Sequence, residues 1–161
     1  MIVHNAISEQ AGSLALPSNA SIGGRSQSHQ LDAPDREQAA TRVLVVEDDF
    51  LIAMQTESAL TDAGFDVVGT AATADEAIGL AREKSPALAV MDIRLAGERD
   101  GIDAARQLFG ELNIRCLFAT AHDDASTRER ARPFAPLGWL PKPYTAASLV
   151  ALVTQAVASL G

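Results

Sequence analysis

Hydrophobic positions along this chain follow two rhythms that take turns. Short apolar runs, V-L-V-V at 43–46, A-L-A-V-M at 87–91 and I-R-C-L-F-A at 114–119, have the length and residue types of strands. F-D-V-V-G at 65–69 and L-G-W-L at 137–140 read as two more. Between the runs the apolar spacing lengthens to that of a helix. Ile52, Ala59, Leu60 and Ala63 share one helical face, with Asp49 as its N-cap and Gly64 as its stop. Thr73 and Glu76 are spaced as a capping box for a helix over 74–84, which ends before Pro86. A third helix is expected from about Ile102. A fourth, roughly 124–132, is short, polar and weakly patterned. The last is the clearest: Leu149, Leu152, Val153, Ala156, Val157 and Leu160 recur at i, i+3, i+4, i+7, i+8 and i+11, with Val150 on the outer side.

Strands alternating with helices imply parallel βα units, and strands that are apolar throughout imply a sheet covered on both faces. Right-handed crossovers then give an α/β doubly wound sandwich, whose ligands bind beyond the carboxyl ends of the strands. Residues 1–41 lack this order. Ser8, Ser13, Ser18, Ser21, Ser26 and Ser28 punctuate a stretch with little periodicity, which cannot bury enough surface to offset its ordering entropy. The expected organisation is a disordered N-terminal extension over 1–41 and a folded domain over 42–161.

Composition narrows the function. The chain has 161 residues, 47% of them hydrophobic, and a formal net charge of −8, so a core of ordinary size is available and the surface is acidic. Direct binding to nucleic acid needs a basic face; the densest basic stretch, R-E-R-A-R-P, is interrupted by Glu129. No apolar run is long enough to span a membrane, and the first residues lack the pattern of a secretory signal. The single cysteine, Cys116, lies within an apolar run as a core residue and leaves neither a disulfide nor a thiolate metal cluster. A cytoplasmic location is expected.

The carboxyl ends of the strands carry the chemistry. Glu47, Asp48 and Asp49 follow the first strand, Asp92 the third, Thr120 ends the fourth, and Lys142-Pro143 follows the fifth. Singly each has an ordinary explanation: Asp49 a cap, Thr120 a strand-end hydroxyl, Lys142 a solvated loop residue. Together they set several carboxylates, a hydroxyl and an ammonium along one edge. Like charges at ~4 Å repel by about 4 kcal/mol at an effective dielectric of about 20. A bound divalent cation would relieve that repulsion, and an all-oxygen ligand set suits Mg²⁺.

In order and spacing, V-L-V-V-E-D-D-F, V-M-D-I-R-L, F-A-T-A and W-L-P-K-P-Y resemble the receiver domain of bacterial response regulators in two-component signalling, over about residues 42–161. The resemblance implies a flavodoxin-like five-stranded parallel sheet of order 2-1-3-4-5. It makes Asp92 the phosphoacceptor, Glu47 and Asp48 the acidic pair, Lys142 the partner of the phosphoryl group, Thr120 the switch hydroxyl and Trp139 the aromatic that follows it. As simple core filler, Trp139 would need no such role. Mg²⁺ would be held by Asp48, Asp92 and the backbone carbonyl of Arg94, with Glu47 acting through water. The Lys142-Pro143 bond would be cis. A sensor histidine kinase or histidine phosphotransfer protein would supply phosphate. An unknown downstream protein would be met through the fourth helix, fifth strand and fifth helix, a face that could also form a homodimer. With the chain ending on its fifth helix, a stand-alone receiver without an output enzyme domain is expected.

Departures are local. Ala96 stands where the family usually has Pro, and the loop to Gly101 is one residue longer than expected. Arg94 and His122 occupy positions that in the family tune acyl-phosphate lifetime. F-A-T-A resembles the F-A-T-G mark of a single-domain subgroup, from which Ala121 and Trp139 depart. Two other readings compete: a phosphate-independent scaffold, and a different doubly wound protein. A flavin binder would want a Ser/Thr/Gly loop after the first strand, and a haloacid-dehalogenase-type phosphatase an Asp where Arg94 sits.

Overall fold

The computed structural model describes residues 39–121 and 123–161, together with Ala15. Most of the segment expected to be disordered, and His122, lie outside the described residues. Within the unit Glu37–Gly161, the strands are β1 (Arg42–Val46), β2 (Asp66–Ala71), β3 (Leu88–Met91), β4 (Arg115–Thr120) and β5 (Gly138–Pro141). The helices are α1 (Phe50–Asp62), α2 (Ala74–Lys84), α3 (Gly101–Leu112), α4 (Ala125–Ala131) and α5 (Ala146–Ala158). A 3₁₀ turn, Arg132–Phe134, extends α4. The sheet has the order β2-β1-β3-β4-β5 and every pairing is parallel. This is the fold the apolar runs and the resemblance imply.

Alternate residues of the central strands feed two cores, as the two-residue period of a strand requires. Leu44, Val46, Met91 and Phe118 face α2 and α3, meeting Ala77, Ile78, Ile102 and Leu108. Val43, Val45, Val90 and Leu117 face the other way, against Leu60 of α1 and Leu149, Val153 and Ala156 of α5. α4 contributes only Ala131 to the buried core.

Several local expectations need correction. α1 buries Ala53, Thr56 and Leu60; Ala63 is the exposed C-cap and Ile52 and Ala59 are half-buried. Asp49 does cap α1, accepting from the amides of Leu51 and Ile52. Only half of the capping box of α2 forms. Thr73 Oγ1 accepts from the Glu76 amide, but the Glu76 carboxylate accepts from Ala72, one residue before the cap. In α5 the inward stripe is Leu149, Val153 and Ala156; the helix stops at Ala158, leaving Leu160 exposed, and Val150 is half-buried rather than fully outward.

One flank is cross-braced. The Ala96 amide donates to the Ala72 carbonyl at 3.1 Å, so the loop after β3 adds a parallel bridge to the start of α2. Gly97, at φ +93°, turns the chain directly afterwards in a conformation that side chains resist. Arg99 donates to Asp75 on α2 and to Gln107 on α3, Gln107 donates to Glu111, and Glu111 accepts from Arg82. Each exposed pair contributes little alone, but the chain of them ties the loop to two helices. Among the described residues, no helix is long and apolar enough to cross a membrane.

Candidate functional site

Parallel pairing continues one residue beyond the strands, and that continuation builds the site. The Glu47 amide donates to Ala71, the Asp92 amide to Val46, and the Lys142 amide to Thr120, at 2.8, 2.8 and 3.0 Å. Backbone bonds therefore hold Glu47, Asp92, Thr120 and Lys142 at one level along the sheet edge. All of the strand-end residues singled out in the sequence belong to this end of the sheet.

Glu47, Asp48 and Asp92 each offer a carboxylate oxygen within 4.8 Å of the others. Asp48 is exposed, while Glu47 and Asp92 are buried. The Lys142 ammonium reaches in from beyond β5, donating to Glu47 Oε2 at 2.5 Å and to Asp92 Oδ2 at 2.9 Å. The Lys142-Pro143 bond that delivers it is cis. Three carboxylates against one ammonium leave two negative charges uncompensated, the deficit that one divalent cation fills. Oxygen-only donors, one of them open to water, fit Mg²⁺. Asp48, Asp92 and Glu47 are the residues that would hold it.

The electrostatics follow from burial and the shared ammonium. Desolvation pushes the Glu47 carboxyl above the ordinary range, and the hydrogen bonds from Lys142 and the Asp49 amide offset part of the rise. For Lys142, burial works to lower the affinity for its proton, but the hydrogen bonds to Glu47 and Asp92 outweigh it and raise the net value. The ammonium is thus fixed as a cation between two carboxylates.

Thr120 is fully buried at the end of β4. Arg94 lies exposed two residues beyond Asp92, and it lines a recess of about 470 Å³ with Asp48, Ile93, Leu95 and the loop to Asp100. Among the described residues its guanidinium has no acidic partner within ion-pair distance. Trp139 is half-buried and stacks on Phe118, with ring centroids 4.8 Å apart and planes 23° apart. It sits on the face of β5 that meets the core beneath α3 and α4.

Some contributors escaped the sequence reading. Gly101 starts α3 against the Asp92 peptide: a methyl at Gly101 would lie 1.9 Å from the Asp92 carbonyl oxygen. The Gly101 amide donates to Ile93 at 2.8 Å, so the helix start and the segment after β3 are one packed unit. Tyr144, two residues past Lys142, shares a 2.8 Å hydrogen bond with the buried Thr56 hydroxyl and pins the loop carrying the lysine to α1. A glycine after an acidic loop and a tyrosine after K-P were visible as letters. Nothing in their spacing revealed which partner each would touch.

Comparison with known proteins bears on the family and the fold. The family description "Response regulator receiver domain" matches residues 43–154. The chain is 34% identical over 116 residues to the transcriptional regulatory protein PdtaR of Mycobacterium tuberculosis, covering 72% of this chain and 56% of that protein. The signal receiver domain of a modulated diguanylate cyclase from Desulfovibrio desulfuricans superimposes with a TM-score of 0.70 at 33% identity, covering 75% of this chain and 96% of that one. The anti-anti-sigma factor PhyR of Bartonella quintana gives a TM-score of 0.62 at 33% identity, over 76% of this chain and 50% of that one. The chain spans about half the length of the curated relatives it matches.

Proposed function

This chain belongs to the response regulator receiver family, and from that premise we propose that Asp92 is its phosphoacceptor, with Mg²⁺ as the cofactor and a sensor histidine kinase or histidine phosphotransfer protein as the donor. The observation that carries this reading is the Asp92 carboxylate held 2.9 Å from the Lys142 ammonium inside a cluster of two further carboxylates. Nothing structural requires such a charge cluster at a buried strand end.

Phosphoryl transfer calls for positioning and charge neutralisation more than for covalent assistance. A carboxylate oxygen of Asp92 attacks the phosphorus of the donor phosphohistidine in line. The P–N bond breaks as the P–O bond forms, and the imidazole keeps the electron pair and takes up a proton. Lys142 then turns its ammonium from the Asp92 carboxylate to a phosphoryl oxygen, a shift that needs no new desolvation. Thr120 donates its hydroxyl to another phosphoryl oxygen. Asp48, Asp92 and the Arg94 carbonyl, with Glu47 acting through water, would hold Mg²⁺, which when bound would supply neutralising positive charge at the pocket.

The phosphorylated form would act on a downstream protein through α4, β5 and α5, or through a homodimer on that face. An anti-anti-sigma factor among the structural relatives supports an output made of protein contacts. With such partners, the cytoplasm is the expected compartment. The test is labelling of the full chain and of Asp92→Asn by a small-molecule phosphodonor or an active histidine kinase with Mg²⁺. Hydroxylamine-labile label on the wild type and none on the near-isosteric variant is expected; label that persists in Asp92→Asn would move the acceptor elsewhere.

A further inference from the structure

Trp139 is the chain's only tryptophan, and it is held by more than Phe118. The Arg128 guanidinium carbon lies 5.0 Å from its ring centroid. Arg128 Nε and Nη2 meanwhile donate to the two carboxylate oxygens of Asp123 at 2.5 and 2.6 Å. A two-pronged bond of this kind engages two of the five in-plane N–H groups and fixes the plane, leaving the flat face for an aromatic ring. Asp123 lies three residues past Thr120 in the loop leading to α4, and Asp124 caps the helix by accepting from the Thr127 amide at 2.8 Å. Arg128 therefore moves with the segment that begins at Thr120, while its face rests on a residue of the neighbouring strand.

We propose that Arg128, oriented by Asp123, is a positioning residue that holds Trp139 in its unphosphorylated placement, so that the phosphorylated form arises only as this guanidinium releases the ring. The inference rests on the proposed phosphorylation of Asp92 and on the role that the family resemblance implies for Trp139, which follows Thr120 when the latter meets the phosphoryl group. Its physical content is a population shift. A contact made in one state alone lowers the fraction of the other, and the apparent affinity of any ligand that selects the other falls by that fraction. An exposed cation–π contact is weak but worth severalfold in an equilibrium. Arg128 makes this contact half in water, so its loss shifts populations without endangering the core.

The experiment titrates the full-length protein with beryllium fluoride in saturating Mg²⁺, as a mimic of the phosphoryl group on Asp92, and reads Trp139 fluorescence. In the wild type the emission changes on loading. Arg128→Gln is expected to start with emission shifted toward the loaded value and to bind the fluoride complex about three- to fivefold more tightly, the severalfold factor of one exposed cation–π contact. Removing a positive charge would by itself weaken binding of an anion, so tightening identifies release of the ring. Arg128→Lys, which keeps the charge but loses the fork, should fall between the two. Asp123→Asn should shift the unloaded emission in the same direction while Arg128 is retained. Unloaded emission and affinity in Arg128→Gln equal to those of the wild type would overturn the role of Arg128. A wild type that loads Asp92 without any change in Trp139 would instead overturn the underlying reading of Trp139 as responsive, and the clamp with it.

Discussion

Replacing Gly101 with alanine tests how the phosphoacceptor is positioned. A methyl there would stand 1.9 Å from the Asp92 carbonyl oxygen, 2.9 Å from its carbon and 3.0 Å from the Ile93 Cα. Carbon and oxygen rest about 3.3 Å apart, so the first contact alone demands a displacement of about 1.4 Å. Each of the three atoms is backbone, and no side chain can rotate away to relieve the clash. Forcing atoms into a packed interior costs about 1–3 kcal/mol, against which alanine regains less than about 1 kcal/mol of glycine's entropic cost. A net loss of about 2 kcal/mol is expected in urea denaturation. Activity should suffer further, since a misplacement of about 1 Å can cost about 100-fold in rate. The control is Gly79→Ala on exposed α2, where a methyl meets nothing within 4 Å; it should stabilise the protein by about 0.5–1 kcal/mol. Equal stability and equal Asp92 labelling rates in the two variants would refute the argument that this contact sets the Asp92 main chain.

Further outcomes follow from the pocket. Lys142→Met strands Glu47 and Asp92 beside each other, so the metal-free protein should lose about 3 kcal/mol; Mg²⁺ should restore part of it, read as a rise in Tm. Asp48→Asn leaves the fold intact because the side chain is exposed, but calorimetry should show Mg²⁺ affinity falling by well over about tenfold, the smallest loss that even an outer-shell partner brings. Tyr144→Phe abandons the Thr56 hydroxyl in a buried setting and should cost about 1–2 kcal/mol in chemical denaturation. Alkaline pH supplies the last test. Lys142 holds its proton more tightly folded than unfolded because its carboxylate partners outweigh burial, and Tyr144 does so chiefly because burial disfavours the phenolate. Their stabilisation is complete below the ordinary values of 10.5 and 10.0 and is lost as pH climbs past them. Denaturation midpoints should fall above about pH 10, and less steeply in Lys142→Met.

The fold was legible because its signals are local and repeated. V-L-V-V and L-A-V-M are buried on both faces of the sheet, so no alternation is needed to recognise them; Ala87, read with the second run, is exposed and precedes β3. The strand-end polar residues were equally clear, since parallel topology by itself places Glu47, Asp92, Thr120 and Lys142 on one edge. What the letters concealed depends on side-chain reach. Thr56 is a polar residue on the buried face of α1, and its partner, Tyr144, lies 88 residues away. Ala63 fitted the helical period but fell where α1 had already ended. Glu76 lay at capping-box spacing, yet its carboxylate found the Ala72 amide instead of that of Thr73. The bidentate attachment of Arg128 to Asp123 had no signature either, because a charged residue on a short polar helix is ordinarily solvated.

The bracing of the loop after β3 has a mechanical corollary. Arg99 and its neighbours stitch that loop to α2 and α3, whereas α4 spans two turns, buries only Thr127 and Ala131, and has the single ion pair Arg130–Asp100 to the start of α3 among the described residues. On the proposed reading of Asp92, a displacement starting in the pocket would pass more easily toward α4 than through the stitched loop, and a protein sensing it would sit on that side.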